Sequence, residues 1–134
     1  MKIYLVLLLL LFINCGSGIF IKKNIEKEYY VTGELKYEMQ KKNNKIDGYT
    51  RFWDIDGNII NEVNYSNGIL HGEWKEYHIN GMIKSQINYE YGLKNGLELW
   101  YYDNGIKKSE TLYKDDVIII DIIRWDKDGN LIYK

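Results

Sequence analysis

The sequence predicts an all-β protein, an elongated antiparallel meander of tandem 24-residue β-hairpin repeats. Three observations carry this. The chain of 134 residues holds 13 Tyr, 4 Trp and 3 Phe but no Pro. Aromatic side chains favour strands, and Pro is excluded from the interior of a hydrogen-bonded sheet. Glycines recur at Gly33, Gly57, Gly81, Gly105 and Gly129, a constant step of 24, and an aromatic stands four residues before each: Tyr29, Trp53, Tyr77, Tyr101 and Trp125. In "IKSQINY", Ile83, Ser85, Ile87 and Tyr89 fall on one face and Lys84, Gln86 and Asn88 on the other, the two-residue period of a strand.

Each unit then reads as two strands and two turns. The alternating strand recurs as Leu35, Tyr37, Met39 and as Ile59, Asn61, Val63, Tyr65. The second strand is short and aromatic, as in Glu73–His78 or Glu98–Tyr102. "INGM", "DNGI" and "KDGN" supply the turn inside a unit, and their Asn-Gly and Asp-Gly pairs predict type I′ hairpins. "SNGILHG" and "YGLKNG" predict longer turns between units. About 24 residues cannot close a core alone, so neighbouring units must pair edge to edge. The apolar residues Val117–Ile120 and Ile122–Ile123 depart most from the pattern, and Trp125 and Leu131 are expected to fold back and cover them.

Residues 1–15 read as a signal segment, 16–24 as a tether and 25–134 as the repeat domain. The opening run has one positive charge, Lys2, and an apolar stretch from Ile3 to Ile13. That is shorter than the roughly 20 residues of a membrane span and suits a secretory signal. Cys15, followed by "GSG", resembles the lipobox of bacterial lipoproteins, in which the cysteine is lipidated, although Asn14 stands where a small residue is usual. The expected place is the bacterial cell envelope, lipid-anchored through Cys15. Ordinary secretion and an uncleaved N-terminal anchor stay open, as does the choice of inner or outer membrane.

A formal net charge of −1 gives no field to draw in nucleic acid. His71 and His78 obey no interval and have no further metal-type ligand at fixed spacing, so they are read as ordinary turn or strand residues, with no metal or cofactor. With one cysteine, no nucleophile-elbow serine and no phosphate loop, no enzyme is expected. The ladder Glu38, Glu62, Gln86, Glu110 is read as solvated cross-strand pairing with Lys36, Lys84 and Lys108, worth about 0.2–1 kcal/mol a pair. The five periodic aromatics are read as packing rather than as a stacking platform.

The succession of aromatic, "NG" turn, "IK" or "LK", acidic residue and Tyr resembles the MORN repeat (membrane occupation and recognition nexus) in its variant form. "YHINGMIKSQINYEYGLKNG" and "YYDNGIKKSETLY" carry the resemblance most strongly. With the leader, the expected function is a non-catalytic, membrane-tethered module that binds a protein partner, and the resemblance narrows this to an antitoxin or immunity type with a toxin as partner. A structural envelope protein and a carbohydrate or peptidoglycan binder are the alternatives. The binding face and the oligomeric state are not specified by these residues.

Overall fold

The computed structural model describes residues 23–133. Ten strands follow one another: β1 (Lys23–Tyr29), β2 (Leu35–Lys42), β3 (Lys45–Trp53), β4 (Ile59–Ser66), β5 (Ile69–Tyr77), β6 (Ile83–Glu90), β7 (Leu93–Tyr101), β8 (Lys107–Lys114), β9 (Val117–Trp125) and β10 (Leu131–Tyr133). They form one sheet in sequence order, every neighbouring pair antiparallel. Strands lie about 4.8 Å apart, so the sheet is roughly 43 Å wide. The predicted meander is present. Cys15, the expected signal segment and most of the expected tether lie outside the described residues.

The turns are distributed differently from the prediction. Asn67 and Gly68, between β4 and β5, both have positive φ (51° and 85°), as do Tyr91 and Gly92 between β6 and β7 (51° and 86°). These connections between units are the two-residue type I′ turns. The turn inside a unit is wider. The Gly81 amide donates to the His78 carbonyl at 2.9 Å and the His78 amide to the Met82 carbonyl at 2.8 Å. Only Gly81 of the Asn80–Gly81 pair has positive φ, the mark of a type I turn closed by a glycine bulge. The tight connection leaves β5 and β7 nine residues each, longer than the short aromatic strand expected.

The register shifts where the first four of these wider turns meet their strands, between Glu28/Tyr29, Phe52/Trp53, Glu76/Tyr77 and Trp100/Tyr101. Lys36, Ile60, Lys84 and Lys108 are the extra residues. A bulge residue has no partner and the bulged strand bends, so its side chain leaves the simple alternation. That corrects the expected ion pairs. Lys36 reaches Glu28 at 2.7 Å and Lys84 reaches Glu76 at 3.4 Å, on the face opposite the Glu38 ladder. The ladder is served instead by the residues directly across from it: Glu38 by Lys27 and Arg51 (both 3.4 Å), and Glu62 by Arg51 (2.7 Å). Glu110 takes Lys107 at 2.8 Å.

Cross-strand pairing runs two rows along one face. One is Glu28, Tyr37, Phe52, Asn61, Glu76, Ser85, Trp100, Ser109, Arg124; the other includes Thr50, Val63, Trp74, Ile87, Glu98 and Thr111. The most buried side chains, Thr50, Val63, Ser85, Ile87, Ser109 and Thr111, all lie in these rows. Val63, at 4% exposure, is the most buried apolar residue, and none of the described side chains is completely enclosed. A single sheet has no second layer, so small and medium residues are covered by large neighbours on the same face. Tyr37 on Phe52 (6.0 Å between rings) and Trp74 on Tyr89 (5.9 Å) do this.

The end of the sheet corrects another expectation. β10 pairs only with Trp125 and Arg124, so it does not reach Val117–Ile120. Val117, Ile118, Ile119 and Ile120 are 50–63% exposed and Leu131 55%.

Candidate interaction face

The periodic aromatics were expected to pack, and most do. Trp53, Tyr77, Tyr101 and Trp125 are half-buried, whereas Tyr29, on the edge strand, is 56% exposed because only one neighbouring strand shields it. Tyr77 donates its hydroxyl hydrogen bond to Glu62 Oε2 at 3.1 Å. Desolvation, then this bond to a carboxylate, pushes its phenol up to about 12. These residues therefore line the ladder face, opposite the face that holds Val63 and Ile87.

His71 and His78 part company. His71 lies beside Tyr91, rings 5.6 Å apart, near the exposed I′ turns. His78 Nε2 bonds the Tyr101 carbonyl of the next unit at 3.1 Å, so that nitrogen carries the proton. Tyr30 and Tyr102 make the same reach, to the carbonyls of Trp53 (2.8 Å) and Trp125 (3.0 Å). His78 thus fills a repeat position after all, a correction to its reading as an ordinary residue. The signal was the 24-residue column Tyr30, Asp54, His78, Tyr102, Asp126, whose members look unrelated until the bond is seen. Asp54 and Asp126 in that column fold inward instead. The Asn58 side-chain amide, then its backbone amide, hold the Asp54 carboxyl below the ordinary range, and Asn130 does the same for Asp126. Units with Tyr or His here are tied to the next unit, and units with Asp close on themselves.

The other face carries two recesses that share Trp100. Trp74, Tyr89 and Trp100 wall a groove of about 150 Å³, with Ser85 and Ile87 in its lining and Glu76 and Glu98 beside them. Both carboxylates have partners, Lys84 at 3.4 Å and Lys94 at 3.0 Å. Asn61 Oδ1 and Trp74 Nε1 are shielded from solvent and make no hydrogen bond, each a cost of about 1–3 kcal/mol that packing must offset. Trp100 also lines a larger cavity of about 460 Å³, with Tyr102, Trp125, Lys108, Ser109 and Arg124. Trp74 and Trp100 were not singled out by period, because their columns vary: Thr50, Trp74, Glu98, Ile122 and Phe52, Glu76, Trp100, Arg124. A constant frame with a variable face is the pattern that would have found them.

Fold and face together define a tandem β-hairpin repeat protein. Residues 70–91 and 94–115, the two units that build the groove, match the family described as MORN repeat variant. No curated protein matches the chain. Repeats of this kind are generally non-catalytic modules that often bind proteins or membranes.

Proposed function

We propose that this chain is a non-catalytic binding module, tethered to the cell envelope through a lipid on Cys15, that holds a protein partner on its Trp74–Trp100 face. One observation carries the reading: two large half-buried aromatics occupy non-periodic positions and flank a groove on an otherwise regular sheet. Aromatic anchors in well-packed recesses are where binding energy concentrates. Among partners, a toxin neutralised beyond the cytoplasmic membrane fits both the antitoxin-like or immunity-like resemblance and the leader. The same groove also favours a second reading, a glycan stacked on Trp74 and Trp100 with Glu76 and Glu98 accepting its hydroxyls.

The test is affinity capture from solubilised envelopes with the tagged full chain, beside Trp74→Ala and Asp121→Asn variants. A protein held in stoichiometric amount by wild type and Asp121→Asn, and lost by a folded Trp74→Ala, supports the reading. Retention by Trp74→Ala overturns it. Capture of polysaccharide released by free sugar favours the second reading.

A further inference from the structure

The repeat places a carboxylate and a lysine side by side at two equivalent points on the binding face. Glu28 holds Lys36 at 2.7 Å, and Glu76 holds Lys84 at 3.4 Å. The bond from Lys36 lowers the Glu28 carboxyl, and that from Glu28 raises the Lys36 ammonium. One unit on from Glu76 and Lys84, the same two positions are Trp100 and Lys108. The lysine remains and its carboxylate has become an indole. A further unit on, the carboxylate position is Arg124, a reversal of charge. The second unit shows the neutral solution, Phe52 with Ile60, so the scaffold does not require a charge here.

Lys108 and Arg124 both line the 460 Å³ cavity, and among the described residues no acidic side chain lines it with them. Neither takes part in an ion pair among the described residues. Lys108 Nζ lies instead 5.6 Å from the centre of the Tyr102 ring. The apolar and aromatic side chains of the wall include Trp100, Ile122 and Ile132. Its volume lies within the roughly 300–1,000 Å³ of ligand recesses. Two unneutralised cations over an apolar wall complement an anion carried on an apolar body, and the guanidinium fork suits a planar carboxylate.

We infer that this cavity receives an acidic side chain of the protein partner, an aspartate or glutamate flanked by apolar residues, held between Lys108 and Arg124 and packed against Trp100. The inference rests on the protein-binding reading above and names the chemistry of that partner.

The probe is an acetylated, amidated peptide with one glutamate between leucines, beside its glutamine twin. Binding is followed by the indole N–H resonance of Trp100 in the full chain. The glutamate peptide should give a saturable shift at that indole, and the glutamine twin or a Lys108→Gln/Arg124→Gln variant should bind about tenfold more weakly. Trp100→Glu, which restores the pattern of Glu76 and Lys84, should keep the fold and abolish binding. Equal binding of the twin, unchanged binding by the double variant, or no saturable shift overturns the inference. Inorganic phosphate binding as tightly as the peptide, or binding only to phosphatidylglycerol vesicles, overturns it too. If the peptide fails while Trp74-dependent capture of a protein persists, this inference alone falls. If the peptide binds and no protein is captured, the protein-binding reading falls and the acid-binding cavity stands.

Discussion

Tyr77 and Glu62 are joined by a 3.1 Å hydrogen bond across the ladder face, in which the phenol donates to a carboxylate that Arg51 also holds. The bond requires a protonated phenol. Since the folded-state value, about 12, lies above the ordinary 10.0, the stabilisation is complete below about pH 10. It is lost as pH rises from there through about 12. Urea melts across this range should show a fall in stability that is shallower for Tyr77→Phe. Equal slopes would show that the bond contributes nothing in solution.

Tyr77→Ala removes the ring as well. A buried aromatic costs about 3–5 kcal/mol on truncation, and for this half-buried one about 2 kcal/mol is expected. Because each unit contacts chiefly its neighbours, hydrogen exchange should quicken first around Trp53 and Tyr101 and last at the sheet's ends. Uniform quickening would mean that the sheet melts as one block.

The two histidines should separate by mutation. His78→Ala loses the bond to the Tyr101 carbonyl and should cost about 1 kcal/mol in denaturant melts. His78→Tyr, which copies Tyr30 and Tyr102, should restore most of it. His71→Asn should stay within about 0.5 kcal/mol of wild type. A larger cost at His71 than at His78 would refute the assignment of the inter-unit tie.

The outer edge of β9 should be sticky. Val117–Ile120 is apolar, exposed and beyond the reach of β10. Ile119→Lys should reduce concentration-dependent association in sedimentation velocity and move stability by no more than about 0.5 kcal/mol. Unchanged association would show that this edge is protected in solution.

Lipidation at Cys15 is proposed from the amino-acid sequence alone. A palmitate analogue should label the wild-type chain and leave Cys15→Ala unlabelled. Equal labelling of both proteins, or of neither, would remove the lipid anchor from the proposal.

By itself the sequence determined the period, the antiparallel meander and the positions of the turns. A 24-residue step in glycine and aromatic residues and a two-residue alternation are local, repeated signals, and five copies reinforce one another. The tertiary structure alone decided which face is buried, because alternation separates two faces without saying which is covered. It also decided the fate of the lysines. Lys36, Lys84 and Lys108 alternate with the ladder in sequence, yet a bulge carries them to the other face, and a bulge arises from the pairing of two strands. The cavity belongs to the same class of fact. Trp100, Lys108 and Arg124 are spread over 25 residues and break the repeat rather than follow it, and only the register of β7, β8 and β9 brings them to one recess. A repeat is legible where units agree; recognition depends on the positions where they differ, and those are read by contact across strands.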